Sequence, residues 1–416
     1  MWGESRIGSA ESMRKQEMKN KLIFVAFMLI MIGLGISDSN RGVFSTIFER
    51  ELLLSKTQVS MIVTVSYVGN LLFMLFGGNA ADRFDKKKAC MGILGLWTAA
   101  QVIFVCTDNY TGLLIGMFIS MGASTLMNTM MNILSPVFFG TMAGLYVNVL
   151  FFVQGIGTSG NQKLTGSLAT GYADYRRLCL GLALIGVVSL ILLGLTKFRS
   201  QKDNCAERGR ATDISAEERK SADSKKSFRT CMSGTVLAMG LIFGFYFVAE
   251  HGILNWWFMY CTQGLGLDSG SASTGVSLFF GTMTVGRLLM APVVQKLGTG
   301  RSITILGGLG TAVYLLGVFL GTGGIWLLGI SGIFISIVYP TIVLLLQEFF
   351  PKDTIATVTG MVISIGTLFD IAFNAVFGSL VETVGFGICR IIFPVAILSF
   401  YGGFLLVIHK KRKGIR

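Results

Sequence analysis

Charge is what this chain carries least of: 14% of its 416 residues are Asp, Glu, Lys or Arg, against 52% hydrophobic. Soluble domains run nearer a quarter charged, so a water-soluble fold is excluded and a polytopic membrane protein is expected. Proline is scarce as well, with five residues against 53 glycines. That ratio suits closely packed spanning helices, where glycine is frequent. Histidine occurs only twice, at His251 and His409, the latter in the basic tail. The seven cysteines (Cys90, Cys106, Cys179, Cys205, Cys231, Cys261 and Cys389) form no CxxC pair and have no histidine at metal-ligand spacing. They read as small apolar fillers, and no metal site is expected. No nucleophile–base pair and no glycine-rich phosphate loop stands out, which sets an enzyme aside.

The formal net charge is +13, yet most basic residues sit at the ends of apolar runs. That distribution sets orientation in a bilayer and points to lipid, not nucleic acid, as the partner.

A spanning helix needs about 20 apolar residues. That ruler gives six segments near 22–45, 57–80, 88–107, 110–134, 139–168 and 176–197, and six more near 231–262, 270–296, 302–320, 324–349, 354–383 and 387–408. Residues 1–21 are polar and basic and read as a mobile cytoplasmic tail. The run after them lacks a small-residue cleavage site, so it reads as a retained helix and not a signal peptide. Residues 198–230 are charged and nearly free of large apolar side chains, a composition that cannot bury a core and reads as a cytoplasmic linker. Residues 409–416 form a basic tail. The expected fold is all-α, twelve transmembrane helices in two six-helix bundles, 22–197 and 231–408. With both tails inside, the inner loops hold Arg83, Lys86 to Lys88, Lys296, Arg301, Lys352 and Lys410 to Lys413. The outer loops hold few basic residues, chiefly Arg50, Lys56, Arg176, Arg177 and Arg390. This asymmetry places both termini in the cytoplasm, and the plasma membrane is the expected location.

An ionisable residue inside a spanning helix costs roughly 2.5–3.5 kcal/mol on insertion scales. Asp38 and Arg41 in segment 1, Lys163 in segment 5, Glu250 and His251 in segment 7, Arg287 in segment 8 and Asp370 in segment 11 therefore need a reason to be there. At 1.5 Å per residue the three carboxylates lie roughly 24–29 Å along their helices, a common level that suggests a common cavity. Asp38 and Arg41 are three apart and can pair on one face; Arg41 can equally meet an anionic substrate group. Glu250 is the preferred proton carrier, because burial favours its neutral form. Around it, Gly252 and Asn255 can loosen the helix. Trp256 supplies a face for a sugar ring or cation, while Trp257 and Tyr260 suit an interfacial aromatic belt. Asn128 and Asn132 share a face, as do Asp370 and Asn374, and Gln154 adjoins Gly155-Ile-Gly157. Such amides suit a polyhydroxylated solute, and also serve as interhelical glue. Arg287 and Lys163 lie near helix ends and read as structural charges.

Gly78 to Lys88 reads GNAADRFDKKK between two membrane-length segments. With Gly78, Asp82, Arg83, Lys86 and Lys87, it resembles the signature loop between helices 2 and 3 of the major facilitator superfamily, where such residues latch the two halves. It departs at Asp85, where that family usually has a second glycine. Ala291 to Gly298, with Gln295 for Asp and Lys296 for Arg, resembles a decayed copy in the second half. AEHGILNWWFMY (Ala249 to Tyr260), FFGTMTVGRLLM (Phe279 to Met290), NVLFFVQGIG (Asn148 to Gly157) and YPTIVLLL (Tyr339 to Leu346) resemble the fucose and glucose permease branch. The resemblance implies a secondary transporter working by alternating access, moving a monosaccharide or similar polar solute with a proton and needing no other cofactor. Asp38 matches that branch's helix-1 acid; helix 4 offers only Asn128 and Asn132 where a second acid is often found. An organic-anion or drug carrier using Arg41, a uniporter, and a non-transporting sensor are the competing expectations. Nothing in the sequence points to an oligomer, and a monomer is expected.

Overall fold

The computed structural model describes residues 2–83, 85–196, 234–351 and 354–414, with side chains for 21–76, 85–140, 142–196, 234–351, 354–355, 357–409. The linker 198–230, Lys352, and the side chains of Asp82, Arg83 and Lys410 to Lys413 lie outside that description.

The described backbone is helical, without strands. The first half contains α1 (Trp2–Val43), α2 (Lys56–Arg83), α3 (Lys86–Cys106), α4 (Tyr110–Phe139), α5 (Ala143–Leu168) and α6 (Tyr172–Leu195). In the second half, α7 begins at Gly234–Gly252 and continues through π-helical turns at Ile253–Trp257 and Tyr260–Gly264. It is followed by α8 (Ser269–Leu297), α9 (Thr299–Ser302, a π turn, then Gly308–Phe319) and α10 (Ile325–Ile335 and Val338–Phe349). The last two are α11 (Ile355–Cys389) and α12 (Ile392–Gly414).

One boundary and one composition differ from expectation. The polar residues before Lys21 continue α1 and do not form a separate tail, because no glycine or proline falls between Gly8 and Gly33 to stop a helix. Among the twelve, α5 alone falls short of the apolar composition of a spanning segment, for it carries Asn148, Gln154, Asn161, Gln162 and Lys163.

The halves repeat each other's packing. Helix α1 packs on α5 and α6, α2 on α4, and α3 on α4 and α6; the same pairs recur six helices later as α7 on α11 and α12, α8 on α10, and α9 on α10 and α12. Glycine allows the closest approaches within a half, as where Gly35 of α1 meets the Gln154 carbonyl of α5.

Between the halves run two long seams, α5 against α8 and α2 against α11, with α1 touching α7. At the face opposite the termini, hereafter the far face, the seams are tight. Gly42 abuts the Leu254 carbonyl, Gly166 abuts Ser273, and Gly378 abuts the Lys56 carbonyl and Ser60. Polar groups lock them further. The Glu382 carboxylate of α11 accepts from the Thr57 backbone N–H (3.0 Å) and hydroxyl (2.7 Å) at the start of α2. Lys56 reaches Glu49 (2.6 Å) and Gln263 (2.8 Å), bridging the halves. Beside them Glu51, at the end of a short helix Ser45–Glu51, accepts from the Tyr172 N–H and from Arg50. Those bonds hold its carboxyl below the ordinary glutamate range.

Towards the termini the halves part. Thr129 and Asn132 of α4 stand exposed, and Asn148 and Arg287 line a cavity of about 280 Å³ between α5 and α8. The protein is therefore closed at the far face and open at the other.

Candidate functional site

The ionisable residues singled out in α1, α7 and α11 come together just beneath the closed far-face seam. Arg41 is 3% exposed and crosses between halves: its Nε donates to Asn255 Oδ1 of α7 (2.8 Å) and its Nη2 to the Tyr67 hydroxyl of α2 (3.1 Å). Its Nη1 faces Met121 Sδ at 2.9 Å, and the guanidinium lies 4.7 Å from the centre of the Tyr67 ring. Asn255 also donates to the Tyr67 hydroxyl (3.1 Å), closing a triangle.

The expected Asp38–Arg41 pair is not what forms. Asp38 turns to Ser124 of α4, which donates to its Oδ2 at 2.9 Å, while Oδ1 is buried without a hydrogen-bond partner. Three-residue spacing allows a contact on one helix face, but the long arginine stem reaches oxygen acceptors on α2 and α7 that suit its planar fork. Arg41 consequently has no carboxylate in ion-pair range among the described residues.

Asp370 and Asn374 share a face of α11 as expected, and a third residue completes them. His251 Nδ1 lies 2.6 Å from Asp370 Oδ2, and Asp370 is 1% exposed. The Asn374 amide donates to Asp370 Oδ1 (3.0 Å), and the Asn374 side-chain oxygen accepts from Trp256 Nε1 (2.9 Å). The Asn374 backbone carbonyl accepts from the Ser60 hydroxyl of the other half. The imidazole is stacked between Tyr67 of the first half (5.1 Å) and Phe247 of the second (5.0 Å). His251 was counted among the intramembrane ionisable residues without being given a role, and Tyr67, Ser124 and Ser60 were missed by sequence reasoning. For His251 a signal was present, since it is one of only two histidines and follows Glu250 directly.

Glu250 is half-buried and makes no ion pair among the described residues. It and Arg287 both lie near enough to Tyr246 and Tyr339 to act electrostatically on their hydroxyls, so Arg287 belongs to the site's surroundings and not only to a helix end. The π turn Ile253–Trp257 follows Gly252 and contains Asn255, in keeping with a loosened helix there. The aromatic assignments need correction. Trp256, Trp257 and Tyr260 are all buried, and Tyr260 accepts from Arg390 at 2.9 Å, so none forms an interfacial belt. Trp256, packed on Phe377 and bonded to Asn374, offers no stacking face in this conformation.

The amides line the approach. Asn132 is exposed and donates to the Asn128 carbonyl (3.1 Å), and Gln154 is half-buried. Lys163 ties α5 to α8 through the Gly270 carbonyl (3.1 Å) and the Thr274 hydroxyl (2.6 Å). In the loop after α2, Asp85 caps α3 by accepting from the Lys87 and Lys88 N–H groups, both at 3.1 Å. Lys87 Nζ donates to the Gly194 and Thr196 carbonyls at the end of α6 (3.0 and 2.6 Å). Lys86 begins α3, and the side chains of Asp82 and Arg83 beside it lie outside the described residues. Among the described residues no cluster of His, Cys, Asp and Glu could hold a metal ion.

The family model described as Major Facilitator Superfamily matches residues 23–374. No curated protein matches the chain in sequence. Among solved structures, the D-xylose-proton symporter aligns over 92% of this chain and 96% of its own, at 14% identity and a TM-score of 0.68. The nucleoside transporter NupG aligns over 92% and 99%, at 12% identity and a TM-score of 0.70. The E. coli fucose:proton symporter FucP aligns over 94% and 98%, at 16% identity and a TM-score of 0.61. At these identities the likeness establishes the fold.

Proposed function

Because the chain belongs to the Major Facilitator Superfamily, and is thus a multi-pass membrane transporter, we propose that it carries a monosaccharide or similar small polar solute together with a proton. The observation that carries this reading is the meeting of ionisable side chains from both halves in one network beneath the seam. A site shared by two rocking bundles is remade each time they move, which is what alternating access requires. The lysine and arginine bias puts both termini in the cytoplasm of a plasma-membrane protein. The conformation closed at the far face is then inward-open. A solute arriving there meets Asn132, Asn128, Gln154 and Ser124 before the charged groups Asp38 and Glu250. Those amides and hydroxyls pair with sugar hydroxyls, and names among the structural neighbours, a xylose and a fucose symporter, agree with that class. The chain works as a monomer in lipid, with the proton as its only coupling ion and no chemical step.

The test is uptake of radiolabelled hexoses and 6-deoxyhexoses into proteoliposomes, with and without an inward proton gradient. Accumulation above equilibrium only with the gradient supports the reading, and transport of any solute excludes a passive sensor. Silence across the sugars, with folding verified by thermal unfolding, overturns the sugar assignment.

One observation favours a second reading. A buried guanidinium with no carboxylate in ion-pair range among the described residues is suited to an anionic solute. Uptake competed by carboxylates and lost in Arg41→Gln would establish that reading instead.

A further inference from the structure

We infer that His251 is the proton-binding switch of this transporter, with Asp370 holding its ring in place. The inference deepens the proposal of proton coupling and moves the proton from Glu250, the sequence-based candidate, to its neighbour.

The charge balance at the site is the first argument. Two carboxylates, Asp370 and Glu250, and one guanidinium, Arg41, act on the His251 ring. With those groups charged, the set is neutral when the His251 ring is protonated. Its loss leaves an uncompensated negative charge inside the membrane, which is costly. Every element packed around the ring enters this count. Helix α1 brings Arg41, α2 brings Tyr67, α7 brings Glu250 and α11 brings Asp370, with Tyr339 of α10 beyond Phe247.

Ring geometry supplies the second argument. Nδ1 is engaged with Asp370 at 2.6 Å, so it donates to the carboxylate and fixes the tautomer. The other nitrogen, Nε2, makes no hydrogen bond among the described residues, and it is not among the sealed polar atoms, in keeping with a side chain 23% exposed. Nε2 is thus the atom at which a proton arrives and leaves by the open cavity, while Nδ1 keeps its contact with Asp370.

The stack supplies the coupling. An imidazolium face-to-face with Tyr67 gains cation–π attraction that the neutral ring lacks. Tyr67 belongs to the first half and His251 to the second, so protonation strengthens a contact across the seam and favours the far-face-closed state. Release through Nε2 weakens the same contact and frees the empty carrier to reopen.

The chain's two histidines make this directly observable. The full-length protein, labelled with 15N-histidine in lipid nanodiscs, would be titrated by NMR, with His409→Gln assigning the resonances. The inference expects the His251 signal to titrate and its transition to move in Asp370→Asn. In proteoliposomes, His251→Gln keeps an amide donor for Asp370, so it should still exchange hexose across the membrane while gradient-driven accumulation falls to the no-gradient level. His251→Gln that accumulates like wild type, or a His251 signal with one protonation state throughout, overturns the inference. If wild type moves no sugar yet His251 titrates and responds to Asp370→Asn, the solute assignment fails and the proton switch stands.

Discussion

Replacing Glu382 by alanine should shift the protein away from its far-face-closed conformation without unfolding it. The carboxylate sits on α11 but serves α2, accepting from the N–H and hydroxyl of Thr57 at the first turn, as an N-cap would. It also places negative charge at the positive end of the α2 dipole. Loss of a capping side chain costs about 0.5–2 kcal/mol. Glu382 is exposed, so solvent takes up part of that loss, leaving about 1 kcal/mol, roughly a fivefold change in the ratio of states. Because the cap crosses between halves, the loss falls on the closed state alone. The assay is a spin-label distance distribution between Leu53 and Ile388, exposed far-face positions in opposite halves, in a chain whose native cysteines are serine. The expected outcome is growth of the longer-distance population by about fivefold, and by less in Glu382→Gln, which keeps an acceptor oxygen. An unchanged distribution in Glu382→Ala would refute the view that this cap holds the halves together.

Asp85→Ala should lower thermal stability by about 1 kcal/mol through loss of the α3 cap, whereas Asp85→Gly, which restores the superfamily's usual residue, should cost only about a few tenths. An unchanged stability in Asp85→Ala would show that the cap contributes nothing. Gly35→Val should abolish folded protein in size-exclusion chromatography, since any Cβ there meets the Gln154 carbonyl, while Gly92→Ala, with open space around it, should be silent. Glu51→Gln should flatten the acid side of the stability profile. The wild-type carboxyl is held low, so its stabilisation is present above the ordinary glutamate value and fades as pH falls through the lowered one. Melting temperatures of the two proteins should converge at low pH and separate above it.

Twelve helices were legible because bilayer thickness imposes a length on each apolar run, and the observed helices overlie all twelve. Partners were not. His251 meets Asp370 across 119 positions of sequence, and Arg41 meets Asn255 across 214. Local spacing suggested the nearer Asp38–Arg41 pair, which side-chain reach then overrode. The misjudged aromatic belt has a separate cause. Two π turns in α7 change the rotation per residue, so positions after Gly252 do not fall on the face that a count of 3.6 per turn assigns.

The polarity of α5 bears on how the protein is made. A nascent helix carrying Asn161, Gln162 and Lys163 enters lipid unwillingly by itself, and half of what it needs has already been synthesised. Asn161 donates to Ser39 and Asn40 of α1, and Gln162 donates to the Ser39 carbonyl. The other half does not yet exist, because Lys163 and Ser167 wait for Gly270, Ser273 and Thr274 of α8, a hundred residues downstream. Until α8 is made, α5 has α1 and α4 of the first half to lean on, and its second face is without the partners it has in the finished fold.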